Sequence, residues 1–194
     1  MASPALPLPT IPPITPPPTT LESVLHLDST LTFPSFTSAT AWTLGSLLRQ
    51  RLLQFPNPCC INISLAQGNH LLFHAVTHSG TTPDNDSWVA RKRKAVLRWG
   101  VSTYALHLKY GGDEAVFAAK HALGPEERGA YAIHGGGWPV RVRGVEGVVA
   151  VVVVSGLKQE LDHGVILEVV GEMLEGMGAG GAGGGAEGEK KKED

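Results

Sequence analysis

Lys92 is the charged residue whose position in the sequence most strongly suggests chemistry. It lies in a helix that ends at Trp99 and begins after an N-cap at either Thr82 or Asp86. Helical spacing places its ammonium group on an apolar, aromatic stripe, and a buried ammonium group costs several kcal/mol unless it is paired. Two interpretations stay open: the side chain extends along its stem to solvent, or it meets an acidic partner or an anionic ligand. The stripe comprises Trp88, Lys92, Ala95, Val96 and Trp99, and a second face, predicted to be solvated, carries Arg91, Lys94 and Arg98.

Two further segments could bring functional groups to that lysine. The run His134-Gly135-Gly136-Gly137 precedes a strand led by Trp138-Pro139, and successive glycines let a backbone approach a ligand or another chain closely. The pair Asp162-His163 follows a predicted strand and opens a helix, where the helix dipole favours a carboxylate. The two histidines and the aspartate are therefore either ligand-binding groups or simple caps of a strand and a helix.

Other chemical signatures are weaker. His70, His74 and His78 share one face of a predicted strand, but residues four apart on a strand are separated by about 13 Å, which is too far for one metal ion. The sequence therefore predicts no metal site there. The glycines at 135–137 lead into a strand, whereas phosphate-binding loops lead into a helix. Ser155 lacks the G-x-S-x-G context of a hydrolase nucleophile.

The elements that must position these groups follow from hydrophobic periodicity. Residues 148–154 are almost all valine, which predicts a strand buried on both faces. An antiparallel hairpin is predicted over residues 59–77, with a tight turn at 67–69. A helix that begins at Thr37 or Ser38 carries a stripe in which Gly45 indicates close contact with a neighbouring element. That stripe comprises Ala41, Leu44, Gly45, Leu48 and Leu52.

These segments together predict an α+β fold. Hairpin connections make the sheet mainly antiparallel, and the helices must then cover its faces. The last helix is predicted to cover the sheet with a stripe formed by Leu161, Val165, Ile166, Val169, Val170 and Met173. One domain is expected over residues 21–175, between a proline-rich tail at 1–20 and a glycine-rich charged tail at 176–194, both expected to be disordered.

Composition excludes several classes of partner and location. A formal net charge of -2 over 194 residues gives no general attraction to nucleic acid or to anionic membranes. No stretch is long and apolar enough to span a membrane, and the first twenty residues lack the pattern of a secretory signal. The two cysteines, Cys59 and Cys60, are adjacent, point to opposite faces of a strand and suit a reducing compartment. The expected location is the cytoplasm.

Three motifs, in order, resemble one protein family. They are T-P-D-N-x-x-W-x-x-R-K at residues 82–92, H-G-G-G-x-P at 134–139 and V-S-G-x-x-Q-E-x-D-H at 154–163. With A-W-x-L-G at 41–45, they are similar to the UPF0303 family, within the heme-degrading-domain (HbpS/GlcG-like, DUF336) superfamily. The resemblance covers about residues 21 to 172. It implies a five-stranded mainly antiparallel sheet flanked by helices, assembled into homo-oligomers, in a superfamily linked to heme or corrinoid binding and to heme degradation.

The resemblance also implies a site. It assigns the superfamily's helix lysine to Lys92, its G-G-x-P turn to residues 136–139, and its V-S-G segment and following acid to residues 154–156 and Asp162. If heme is the ligand, His134 and His163 are the expected axial ligands, with Lys92 or Arg91 near the propionates. The full candidate ligand-binding set is Asn85, Trp88, Arg91, Lys92, His134, Gly135, Gly136, Gly137, Ser155, Asp162 and His163.

A second hypothesis stays open beside small-molecule binding. The chain would be a non-enzymatic, homo-oligomeric scaffold that binds protein partners, with Trp88, Trp99 and Trp138 packing subunits together. Trp138 stands where many relatives carry phenylalanine or valine, which would make a pocket there narrower or more aromatic. The sequence assigns a catalytic role to no residue.

Overall fold

The central strand of the sheet is the valine-rich segment that the sequence predicts. The computed structural model describes residues 11–181, and within them five strands form one sheet in the order β1-β4-β5-β2-β3. The strands are β1 (Thr32–Phe33), β2 (Cys60–Leu65), β3 (Leu71–Val76), β4 (Gly137–Val142) and β5 (Ala150–Ser155). The helices are α1 (Leu21–Thr30), α2 (Ser38–Leu52), α3 (Pro83–Trp99), α4 (Thr103–Lys109), α5 (Glu114–Lys120), α6 (Pro125–Arg128) and α7 (Gln159–Gly181).

The sheet is antiparallel except at one edge. β4 pairs with β5, β5 with β2 and β2 with β3, all antiparallel, whereas β1 pairs with β4 in parallel. The prediction of a mainly antiparallel five-stranded sheet is therefore confirmed, and the short parallel pair makes the sheet mixed. Every residue of β5 is buried, which explains why its sequence shows a continuous apolar run rather than an alternation.

Helices cover both faces of the sheet. Val152 and Val154 of β5 pack into a core with α2 and α7, while Val151 and Val153 pack with Val89 and Val96 of α3 on the opposite face. Because side chains alternate along a strand, one valine run supplies both cores. The end of β5, the start of α7 and the middle of α3 lie next to one another, because Lys92 of α3 contacts Val154 and Asp162.

The predicted contact at Gly45 is confirmed. Thr37 caps α2, and the five residues of its predicted stripe are all buried. A Cβ atom at Gly45 would overlap the ring of Phe73 on β3, so glycine allows α2 to lie directly on the edge of the sheet. Trp138, which the scaffold hypothesis places between subunits, is instead fully buried in the core with β5 and α2.

The ends of the chain differ from the expected boundaries. Ile14 is only 3% exposed and packs into the core beside α7, although it lies in the predicted proline-rich tail. The last helix continues to Gly181, beyond the predicted end of the domain at 175. Residues 1–10 and 182–194, the remainder of the two predicted tails, lie outside the described residues. Among residues 11–181, no helix combines the length and the apolar character needed to cross a membrane.

Candidate functional site

Lys92 and Asp162 form a buried ion pair between α3 and α7. Lys92 Nζ lies 3.2 Å from Asp162 Oδ2 and donates a second hydrogen bond, 2.9 Å long, to the carbonyl oxygen of Val154 at the end of β5. Both residues are 2% exposed. Of the two interpretations of Lys92, the structure shows the one in which the ammonium group meets an acidic partner.

Gly136 makes room for this pair. Its φ of +107° is one that residues with a side chain rarely adopt, and a Cβ atom there would lie 2.7 Å from Lys92 Nζ and 2.9 Å from the Cβ of Asp162. The carbonyl oxygen of Gly136 accepts a 2.8 Å hydrogen bond from Val154 N. The glycine run therefore brings backbone against the ion pair while remaining hydrogen-bonded to β5.

Asp162 also fixes the turn between β5 and α7. Its Oδ1 accepts a 2.9 Å hydrogen bond from Leu157 N, and its Oδ2 accepts a 3.4 Å bond from Gly156 N. Asp162 is thus both the partner of the lysine and the anchor of the loop beside it, and the interpretation of this aspartate as a helix-terminal group is compatible with the ion pair.

Burial moves the two pKa values of the pair towards each other. It lowers the pKa of Lys92 and raises the pKa of Asp162, while the attraction between the opposite charges acts in the reverse direction on both groups. A group bound beside the pair would meet the ammonium donor of Lys92 and the carboxylate acceptor of Asp162.

A cavity of about 280 Å³ opens beside the ion pair. Six of the predicted site residues line it: Asn85, Trp88, Lys92, His134, Ser155 and Asp162. Four lining residues were not among the predicted candidates: Asp84, Gly156, Leu157 and Gln159. All four lie in the motif segments at 82–92 and 154–163, so the segments indicated the right places although the individual residues were missed.

The rim of the cavity is aromatic and charged. The His134 ring meets the Trp88 ring edge-on at 5.1 Å, and the Arg91 guanidinium lies 4.5 Å from the centre of the same tryptophan. Glu114 Oε1 is 3.4 Å from both His134 Nδ1 and Arg91 Nη2. Burial lowers the pKa of His134, with Glu114 opposing this effect. The imidazole at the rim is therefore mainly neutral at pH 7.

Arg91 differs from the expectation of a solvated basic face. Its Nε and Nη2 both donate to the carbonyl oxygen of Tyr131, at 3.2 and 3.1 Å. Arg98, from the same predicted face, donates to the Tyr131 hydroxyl at 2.7 Å. These arginines tie α3 to the segment before the glycine run, so Arg91 positions the wall of the cavity and does not line it.

His163 does not join the site. Its ring is fully buried, stacks on Tyr104 at a centroid distance of 5.1 Å and has a pKa lowered to about 3 by burial. Gly135 and Gly137 also lie behind the cavity: Gly135 N donates to Gln159 Oε1 at 3.1 Å, and Gly137 N donates to Thr103 Oγ1 at 2.9 Å. The predicted candidates thus divide into a lining set and a supporting set.

The cavity does not fit a heme. Pockets for drug-sized ligands measure about 300–1,000 Å³, and this one, at about 280 Å³, is smaller although a heme is a large macrocycle. Of the two histidines expected as axial ligands, His134 lines the cavity, whereas His163 is fully buried and is not among the lining residues.

Comparison with known proteins identifies the family. The family model described as "Haem degrading protein HbpS-like" matches residues 36–171. The chain belongs to the HbpS-like family. It is 37% identical to a UPF0303 protein of Streptomyces avermitilis, over 81% of this chain and 92% of the relative, and 40% identical to a UPF0303 protein of Streptomyces coelicolor, over 78% and 91%. The UPF0303 resemblance seen in the motifs is therefore confirmed.

Solved structures support the same placement of this HbpS-like chain. The crystal structure of the Ybr137w protein superposes with a TM-score of 0.73 and 30% identity, and covers 81% of this chain and 90% of that one. The crystal structure of HbpS gives a TM-score of 0.54 at 17% identity, over 72% and 89% of the two chains. The second likeness shows a shared fold.

Proposed function

We propose that the cavity beside Lys92 and Asp162 binds a small molecule that offers an oxygen acceptor and a planar apolar part. The observation that carries the proposal is the ion pair itself. An ammonium group has three N–H donors. Lys92 Nζ donates two hydrogen bonds, to the carbonyl oxygen of Val154 and to Asp162 Oδ2. Because Lys92 also lines the cavity, its third donor is available to a bound oxygen.

The other lining groups complete such a site. Asn85 Oδ1 accepts a 2.8 Å hydrogen bond from Thr82 N, which leaves the Asn85 amide NH2 to donate into the cavity. Trp88, His134 and Leu157 provide an apolar and aromatic wall. Polar groups at fixed positions beside an aromatic and apolar wall are typical of sites that orient a small molecule. The family name suggests heme, but the dimensions of the cavity support a ligand smaller than a tetrapyrrole.

Calorimetric titration of the full-length chain tests the proposal, with benzoate and benzamide as probes because each joins an aromatic ring to an oxygen acceptor. We expect saturable binding of at least one probe, lost in the double variant Lys92→Met/Asp162→Asn, which leaves no buried charge unpaired. The matched control Lys94→Met, on an exposed position of the same helix, should bind as the wild type does.

A parallel titration with hemin tests the alternative that the cavity binds heme. The proposal predicts no Soret shift that depends on His134, so His134→Ala and the wild type should give the same spectrum with hemin. A shift abolished by His134→Ala would support heme binding and contradict the smaller ligand. Binding of benzoate or benzamide that is unchanged in Lys92→Met/Asp162→Asn would contradict the assignment of the site.

A second candidate function is self-association into a homo-oligomeric scaffold, and one surface favours it. Trp42 is 66% exposed and packs edge-on against Phe73 of β3. Two further apolar residues of that strand, Leu71 and Val76, are also exposed, at 54% and 40%. β3 is the last strand in the sheet order, so its outer edge carries unpaired backbone groups. A second copy would cover both the exposed tryptophan and the strand edge, and Trp42, not Trp138 or Trp99, would provide the contact.

Light scattering on the full-length chain tests this second function. We expect a wild-type mass of more than one chain, a monomer for Trp42→Glu, and no change for Val145→Glu, which alters an apolar residue that is also exposed, at 50%. A monomeric wild type would contradict self-association. Both cysteines are free thiols, which supports the cytoplasm as the location in which either function would operate.

A further inference from the structure

We propose that Cys60, His74 and Asp86 bind a divalent transition-metal ion of the zinc class. The three residues lie on the α3 face of the sheet near its β3 edge and belong to β2, β3 and the first turn of α3. Their ligand atoms lie within 4.8 Å of one another. None of the three lines the cavity beside Lys92, so this site and the proposed ligand site can be tested separately.

The distances suit a single ion. Cys60 Sγ lies 3.9 Å from His74 Nε2, and His74 Nε2 lies 3.7 Å from Asp86 Oδ1. In a tetrahedral zinc site with bonds of about 2.0–2.3 Å, a nitrogen and an oxygen ligand are about 3.3 Å apart and a sulfur and a nitrogen ligand about 3.6 Å apart. Contractions of a few tenths of an ångström bring these two distances to the tetrahedral values, and the exposed Asp86 side chain can rotate to close its distance to Cys60 Sγ, which is within 4.8 Å.

Strand register explains why these residues converge. Cys60 pairs with Val76 and Asn62 pairs with His74 across β2 and β3, so Cys60 and His74 are diagonal neighbours on one face. α3 crosses that face with Asp86 in its first turn. The sequence argued against one metal ion bound by His70, His74 and His78, because these residues are too far apart along one strand. The cluster in the structure contains only one of these histidines, His74, together with Cys60 from β2 and Asp86 from α3.

The surroundings support a metal at His74 Nε2. The other ring nitrogen, Nδ1, lies 3.3 Å from the Asn62 side-chain amide. Metal-bound histidines commonly donate their second N–H to an oxygen, and rotation of the Asn62 amide by 180°, which exchanges oxygen and nitrogen, presents that acceptor. Arg93 does not compete for the ligands, because its guanidinium donates to Ser64 Oγ and to the carbonyl oxygen of Leu65, both at 2.7 Å.

The charge balance is also favourable. On binding, the Cys60 thiol gives up its proton to solvent and its sulfur forms a bond to the ion, so one thiolate and one carboxylate neutralise a divalent cation. A thiolate, an imidazole and a carboxylate form a ligand set suited to zinc and related ions rather than to magnesium or calcium. The neighbouring surface recess, which is lined by His74 and Asp86, leaves the fourth position open to water or to an exogenous ligand.

Cobalt(II) titration of the full-length, reduced chain tests the proposal, because a cobalt–thiolate bond gives a charge-transfer band in the near ultraviolet. We expect one equivalent of cobalt to produce that band and zinc to displace it. The band should disappear in Cys60→Ser and persist in Cys59→Ala. Cys59 is the matched control because it is the adjacent buried cysteine and its sulfur packs on the opposite face, with Asn57 and α2.

Two variants at exposed positions keep the test decisive if Cys60→Ser fails to fold. The side chains of His74 and Asp86 are 36% and 67% exposed, so His74→Asn and Asp86→Asn should fold normally. Each should weaken cobalt binding at least 10-fold, since loss of an outer-shell partner alone typically costs 10–100-fold. A wild-type chain that shows no thiolate band, or a band that persists unchanged in Cys60→Ser or in both exposed variants, would overturn the proposal.

Discussion

Asp162 and Asp28 are both buried carboxylates, yet the structure gives them different surroundings. Each is 2% exposed, and burial raises the pKa of each. Asp28, near the end of α1, accepts a 2.7 Å hydrogen bond from Ser102 N, at the N-cap of α4, and so joins two helices. Asp162 is paired with a buried lysine beside a cavity. Burial alone therefore does not distinguish the two carboxylates. The charged partner and the adjoining cavity do, and the proposed ligand site depends on that difference.

The largest expected effect is the loss of one partner of the ion pair. Asp162→Asn leaves the Lys92 ammonium buried without its counter-charge, and breaking a buried pair in this way typically costs about 3–5 kcal/mol. We expect urea denaturation at pH 7 to show a loss of about 4 kcal/mol in the free energy of unfolding. Adding Lys92→Met should recover at least half of it. A loss below about 1 kcal/mol would mean that the pair does not differ from an exposed one.

Gly136→Ala should be the next most destabilising change. The new methyl group would meet Lys92 Nζ and Asp162 from a backbone with φ of +107°. Strain and overpacking of about 1–3 kcal/mol each predict a total loss near 3 kcal/mol in thermal or urea unfolding. Gly68→Ala is the matched control, because Gly68 also has a positive φ, +66°, but nothing lies within 4 Å of its added Cβ. Equal losses in the two variants would show that crowding at the ion pair is unimportant.

Asp28→Asn should reveal a pH dependence of smaller size. Burial raises the pKa of Asp28 from 3.8 to about 6, against hydrogen bonds from Ser102 that lower it. The folded state therefore binds this proton more tightly than the unfolded state, and the stability contributed by the protonated group is lost as pH rises from about 4 to about 6. The asparagine side chain does not titrate, so the variant does not lose this stability as pH rises. The free energy of unfolding of Asp28→Asn, relative to wild type, should rise by about 2 kcal/mol between pH 4 and pH 7; a constant difference in urea titrations would be inconsistent with a buried charge.

The smallest effect on stability should come from the rim. The His134 side chain is 42% exposed, and its contact with Glu114 at 3.4 Å is weak because burial keeps the imidazole mainly neutral. We expect His134→Ala to change the free energy of unfolding by less than about 0.5 kcal/mol while weakening the binding of benzoate or benzamide in calorimetry. A stability loss comparable to that of Asp162→Asn would place His134 in the structural framework instead.

The fold was predictable where periodicity is strong and long. The valine run of β5 and the stripe of α2 specify a buried strand and a helix that packs on it, and the clash at Gly45 follows from a small residue on an apolar stripe. The parallel pairing of β1 with β4 could not be predicted. β1 has only two residues, Thr32 and Phe33, too few to show a period, and its partner is more than a hundred residues away.

The site was predictable only in part, for a related reason. Lys92 was identifiable because a cation on an apolar stripe must either extend to solvent or meet an acidic partner or an anionic ligand, and Asp162 was among the candidate residues. Glu114, which contacts both His134 and Arg91, carried no such signal, since it begins a short helix with ordinary composition. The convergence of Cys60, His74 and Asp86 likewise depends on strand register and on the crossing of α3, which local spacing does not contain.

Native mass spectrometry of the full-length protein, purified from its own cells, would detect a ligand retained beside the Lys92–Asp162 pair. We expect a small molecule to be retained by the wild type and by Asp28→Asn, which alters only the structural carboxylate. That molecule should be absent from Lys92→Met/Asp162→Asn, in which both charges of the paired site are removed. Wild-type chains without any added mass, or the same added mass in all three proteins, would contradict the assignment of a ligand site to the buried Lys92–Asp162 pair.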